Sequence, residues 1–186
     1  MSRLSTAIVL ACAGSLNAGC ATHMCNLIAA NCDRTTITLQ SPNDAWTAGT
    51  YTLVLTMDGA PGQCTMQVPD PPPPSGVQGS CGLGATSALS LVTVDSCPPV
   101  VCKNGACEGM SCTPIPGHFQ MIFTINPSVS NSSAASTPGK VGMNLTVDGK
   151  QIFNQTVMPK AVTTEPNGVG CGTCTNASAT VSVAGG

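Results

Sequence analysis

The residues of this chain best able to do chemistry are its cysteines, twelve in 186 residues. Four of them, Cys97, Cys102, Cys107 and Cys112, recur every five residues in "CPPVVCKNGACEGMSC". Cysteine sulfur supports metal ligation, thiol–disulfide exchange and covalent cross-linking. Zinc sites favour paired Cys-x-x-Cys spacing or histidine partners, and the gaps here are wider. A redox thiol needs a nearby positive charge or a helix start. Lys103 is the one cation inside the run, and no helical pattern surrounds it. Disulfide staples are the reading that fits best. Cross-links let a polar connector with Asn104-Gly105 and Gly109 hold a shape without a core of its own. Their connectivity stays open, with Cys64 and Cys81 as further partners.

Cys171-Gly-Thr-Cys174 has the Cys-x-x-Cys spacing of redox and metal sites in cytosolic proteins. It lies in "PNGVGCGTCTNA", a turn-rich stretch with no Trp or His beside it and no preceding strand–helix unit. A structural bridge is therefore expected there too. The two histidines add little. His23, Met24 and Cys25 form a soft-ligand set for copper in "CATHMC", and His118 opens an expected strand. There is no Gly-x-Ser-x-Gly, no His-Glu-x-x-His and no phosphate-cradling glycine loop. Asp58 and Asp148 fall in expected turns, Asp70 precedes four prolines and Asp95 follows a strand. Asp33, Asp44, Glu108 and Glu165 are scattered on loops, so no acid pair is placed for catalysis. No catalytic, cofactor or metal residue is assigned. The expectation is a non-enzymatic protein without a cofactor. The alternative is a periplasmic metal-binding or thiol–disulfide redox protein using the clustered cysteines.

The compartment decides what those cysteines do. Met1-Ser2-Arg3 is a short basic start, and Leu4 to Leu16 is an uncharged, mostly apolar run. The run is short for a membrane span and suits a signal-peptide core, giving residues 1–19 as the leader. Ala18, Gly19 and Cys20 follow, which resembles a bacterial lipoprotein signal. The resemblance implies cleavage before Cys20 and lipid attachment to it. That pattern usually has Leu three residues before the cysteine; here Asn17 stands there and Leu16 lies one further back. "VLAC", ending at Cys12, fits more loosely, and ordinary secretion with cleavage near Ala18 or Gly19 is the competing reading. With Cys12 removed and Cys20 lipidated, ten cysteines remain: 25, 32, 64, 81, 97, 102, 107, 112, 171 and 174. All ten, Cys25 and Cys32 included, are disulfide candidates for an exported chain.

The elements that must position these residues read as strands. Only 8% of residues are charged and 3% aromatic, while 42% are hydrophobic. Ser, Thr, Gly, Pro and Val dominate, without helical spacing of apolar residues, which is the composition of an all-β exported protein. Six Lys and Arg form no basic stripe, so nucleic acid is excluded as a partner. Two segments align without a gap ninety positions apart, Gly49–Pro69 and Gly139–Pro159. Leu55-Thr56 matches Leu145-Thr146, Asp58-Gly59 matches Asp148-Gly149, and Cys81-Gly82 matches Cys171-Gly172. In the first, Tyr51, Leu53, Leu55 and Met57 alternate with polar residues; in the second, Val141, Met143, Leu145 and Val147 do so. Period two with one apolar face means half-buried antiparallel strands, and Asp-Gly is a hairpin signal. Return strands are expected near 63–68 and 151–157, ended by Pro69 and Pro159. Leading strands are expected at 35–40 and 119–125, and closing strands at 88–94 and 177–183.

Four strands per repeat give eight. The expected architecture is an all-β, disulfide-stapled, immunoglobulin-like β-sandwich built from two similar four-stranded repeats. A tether spans 20–34, the first repeat 35–95, a cysteine-rich connector 96–117 and the second repeat 118–186. Pro71–Pro74 reads as a stiff spacer. Asn131, Asn144, Asn154 and Asn176 each open an Asn-x-Ser/Thr sequence that a Ser/Thr-rich chain produces by chance.

"TVMPKAVTTEPNGVGCGTCTNASATVSV" resembles uncharacterised exported bacterial lipoproteins with cysteine-rich β-domains. That resemblance covers most of the mature chain loosely and implies no activity. Ala21 stands where an Asp would retain a lipoprotein at the inner membrane, so the resemblance implies the outer membrane. The expected role is a structural or binding module of the cell envelope, held to the membrane by its lipid, with a protein or glycan partner. Intact mass of the protein taken from a bacterial envelope checks the leader. The expected result is a chain starting at Cys20 with a diacyl- or triacyl-sized addition and no thiol alkylated in the absence of reductant.

Overall fold

The computed structural model describes residues 33–82, 87–97, 102–103, 106–107, 111–126, 138–165 and 173–184. Cys20, Cys25, Cys32, Cys171 and His23 lie outside them. Apart from a 3₁₀ turn at Pro42–Asp44, the regular elements among the described residues are strands. They are β1 (Thr35–Gln40), β2 (Gly49–Met57), β3 (Ala60–Val68), β4 (Val77–Gln78), β5 (Ser80–Cys81), β6 (Ser87–Ser96) and β7 (Cys102–Lys103). There follow β8 (Ala106–Cys107), β9 (Thr113–Ile125), β10 (Val141–Val147), β11 (Lys150–Val157), β12 (Lys160–Thr164) and β13 (Cys174–Ser182).

Both expected hairpins form. Asp58-Gly59 joins β2 to β3 with φ of 47° and 88°, and Asp148-Gly149 joins β10 to β11 with φ of 48° and 82°. Positive φ at both central residues matches the right-handed twist of the flanking strands. Asp148 has a second role: its Oδ1 accepts the Thr50 N–H at 2.8 Å, tying one hairpin's turn to the start of the other. Only glycine fits beside it, since a Cβ on Gly49 would stand 2.6 Å from Asp148 Oδ2.

The two hairpins meet edge to edge. β2 pairs antiparallel with β10, and Val54 faces Asn144, its counterpart ninety residues on. A five-stranded sheet results, ordered β11-β10-β2-β3-β5. Its register slips once: Leu145 faces Phe153 but Thr146 faces Gln151. The bulged Ile152 breaks the alternation, so Ile152 and Phe153 are both buried. The second sheet has six strands, ordered β12-β13-β1-β9-β6-β4. All its pairs are antiparallel except β1 with β13.

Each sheet draws strands from both halves of the chain, and one hydrophobic cluster joins their inner faces. Ile37, Leu89 and Phe123 from the six-stranded sheet share it with Leu53, Leu55 and Leu145 from the other, all fully buried. Each such side chain contributes roughly 1.5–3 kcal/mol on leaving water. The fold is an all-β, sandwich-like pair of sheets closed on a single core.

Thirteen strands stand among the described residues where eight were expected. β12 escaped the sequence reading because all five of its residues are exposed, leaving no alternation to detect. β4, β5, β7 and β8 are two residues each, below the length at which periodicity exists. The expected connector is partly ladder. β6 runs to Ser96 and β9 begins at Thr113, with Asp95 facing Pro114 and Ser96 facing Thr113. Cys97 is disulfide-bonded to Cys112. Further out, Cys102 faces Cys107 in the backbone register, and Lys103 faces Ala106. Every one of these facing pairs is centred between positions 104 and 105, a register that the five-residue cysteine spacing fits.

Truncation at the sheet centre checks the shared core. Leu145→Ala should lower unfolding stability by about 2–5 kcal/mol in urea denaturation. Val54→Ala, on the outer face of the partner strand, should stay within about 0.5 kcal/mol of the parent.

Candidate functional site

At one end of the sandwich the ladder stops being regular, and a cleft opens there. On β6 and β9, Thr93 faces Phe119, but the next pair is Asp95 with Pro114. Val94 alone therefore stands opposite four residues, Ile115 to His118, and β9 bows outward. Pro116 has no N–H for the ladder, and Gly117 takes φ of 78°, so this stretch cannot close back onto β6. The segment after β3, Pro71 to Pro74, forms the opposing wall. The third wall is the chain from the 3₁₀ turn to Trp46. That turn is set by the Ser41 hydroxyl donating to the Ala45 carbonyl, with Asn43 and Asp44 at positive φ.

Trp46 is the floor. Its indole Nε1–H donates to the Phe119 carbonyl at 3.0 Å, tying the loop before β2 to the bowed strand. Its ring meets Tyr51 edge-on, centroids 5.7 Å apart at 72°. The Tyr51 hydroxyl in turn donates to the Thr47 carbonyl at 2.8 Å. A floor so anchored needs no rearrangement on binding. The cavity measures about 370 Å³, lined by Trp46, Phe119, Ile115, Thr93 and five prolines, with Ala45 and Gly117. At its edge His118 Nδ1 stands 3.6 Å from Asp44 Oδ2, both partly exposed.

The disulfides bracket this cleft. Cys64–Cys81 joins β3 to β5 and closes the loop that carries Pro71–Pro74. Cys97–Cys112 adjoins the end of the β6–β9 ladder, near where Pro114–Gly117 departs from it. The separations are 17 and 15 residues, for which loop-closure entropy gives about 3 kcal/mol each. Cys174 is also disulfide-bonded. Among the described residues, no three His, Cys, Asp or Glu side chains converge as metal ligands would.

The sequence reading did not find this site. Pro71–Pro74 was read as a spacer, His118 as the opening of a strand, and Asp44 as a loop acid. His118 lies inside β9, and its Nδ1 stands 3.6 Å from Asp44 Oδ2. One signal was present: "TPIPG" puts two prolines and a glycine where β9 enters its ladder, which marks a strand that must open. The meeting of three segments around Trp46 has no local signal. No protein-family model, curated protein or solved structure matches the chain.

Tyr51 reports on the packing behind the cleft. Burial raises its phenol pKa above the ordinary 10.0, against the lowering effect of its Thr47 hydrogen bonds. The folded state thus holds its proton more tightly than the unfolded chain. This contribution to stability is intact below pH 10 and declines as pH rises above it, where the unfolded chain ionises first. It is the only tyrosine, so absorbance titration of phenolate reads it alone. The expected midpoint lies above 10.0, returning toward that value in denaturant.

Proposed function

We propose that this chain is a non-enzymatic binding module of the cell envelope, tethered by lipid at Cys20, whose ligand enters the proline-walled cleft. The observation that carries the reading is the cleft itself: a preformed apolar cavity of about 370 Å³ with a fixed aromatic floor. Cavities of that size and lining are the usual form of small-ligand sites. The disulfides support export, since such bonds persist in oxidising, non-cytoplasmic compartments. In this reading the scaffold is an immunoglobulin-like sandwich that arose by duplication, with the facing pair Val54 and Asn144 as a remnant of its symmetry. The lipid holds the chain at the outer membrane, and the cleft stays open to the surrounding space.

The uncharged apolar dye N-phenyl-1-naphthylamine tests the site. Oxidised protein should brighten and blue-shift its emission. Thr93→Phe, which fills the cleft from β6, should weaken uptake by about tenfold or more. No brightening with folded wild-type protein would sink the reading, and unchanged uptake by the filled variant would move the site elsewhere.

A further inference from the structure

The cleft is apolar within, and Asp44, Asp70 and Asp95 flank its lining residues in sequence or in strand register. We infer that it takes a small organic cation, an aromatic or branched apolar body carrying an ammonium group. This rests on the cleft being the binding site and adds the chemistry of its occupant.

The walls argue against an anion. Pro71, Pro72, Pro74, Pro114 and Pro116 carry no amide N–H, and the Trp46 indole N–H is already given to Phe119. A carboxylate or phosphate entering would lose its water and find few donors in return. The rim argues for a cation. Asp44 directly precedes the lining residue Ala45, Asp70 directly precedes Pro71, and Asp95 faces Pro114 in the β6–β9 register. Among the described residues, no lysine or arginine adjoins a lining residue in sequence. Lys140, Lys150 and Lys160 sit on or beside β10, β11 and β12. Among the described residues, His118 is the single basic residue next in sequence to a lining residue, and its Nδ1 lies 3.6 Å from Asp44 Oδ2. Carboxylates around a low-dielectric mouth concentrate their field on what enters it. The cavity's volume fits one ring or branched group with its head at the rim.

Three probes share one ring and differ in charge: benzyltrimethylammonium, benzyl alcohol and benzoate. Trp46 is the only tryptophan, so its emission reads occupancy of the cleft directly. The ammonium should bind on the order of tenfold more tightly than the alcohol, with benzoate weakest, and the gap should shrink as salt is raised. The double variant Asp44→Asn, Asp70→Asn should narrow the gap. Asparagine tolerates the positive φ of Asp44, so the turn is kept, and an unchanged thermal midpoint confirms it. Equal affinity for all three probes would overturn the cation assignment and leave the cleft as an apolar site. Binding of none would overturn both. An ammonium preference untouched by the double variant would remove the rim carboxylates as its cause.

Discussion

Two apolar sheet faces that cannot face water alone are the constraint on which the rest depends. With so few aromatic residues, the core must be built from alternating aliphatic side chains, and each strand contributes a single row. Leu53, Leu55 and Leu145 have partners only because Ile37, Leu89 and Phe123 lie on the facing sheet. Neither half of the chain supplies a complete sheet, so neither can bury its own row. The hairpins fix local register through Asp58-Gly59 and Asp148-Gly149, and the long-range pairing of β2 with β10 then aligns the rows.

The cleft follows from relaxing that constraint at one end. A regular ladder would bring β9 against β6 along its whole length and leave no space. Proline and glycine prevent this, and an opened strand end has little core of its own to hold it. Here cross-links do what packing does elsewhere. One disulfide lies beyond each proline wall, and the indole hydrogen bond spans the floor between them. Rigid walls matter for binding because a ligand then spends little free energy ordering the site.

What was legible in the sequence was whatever repeats at short range. Apolar residues alternate along β2, β9 and β10, so their buried rows could be written down beforehand, and the Asp-Gly turns state their own conformation. The exposed β12 shows no alternation, and the two-residue strands are too short to carry a period. The cleft was illegible for a different reason. Trp46, Pro71–Pro74 and Pro114–Gly117 come from distant segments, and only the finished topology places them around one volume. The cysteine spacing lay between these cases. The five-residue intervals take their meaning from the backbone register, in which Cys97–Cys112 and the Cys102/Cys107 pair share one centre.

The parallel pairing of β1 with β13 has a consequence for how the chain comes into being. Thr35 lies beside Ala177 and Gln40 beside Ser182, so one of the first described strands is flanked by the last. Until β13 has been synthesised, β1 has only β9 beside it and an open row of amides on its other side. A growing chain therefore has no complete early domain to settle into. Such a chain keeps this edge of β1 open until β13 is added to it.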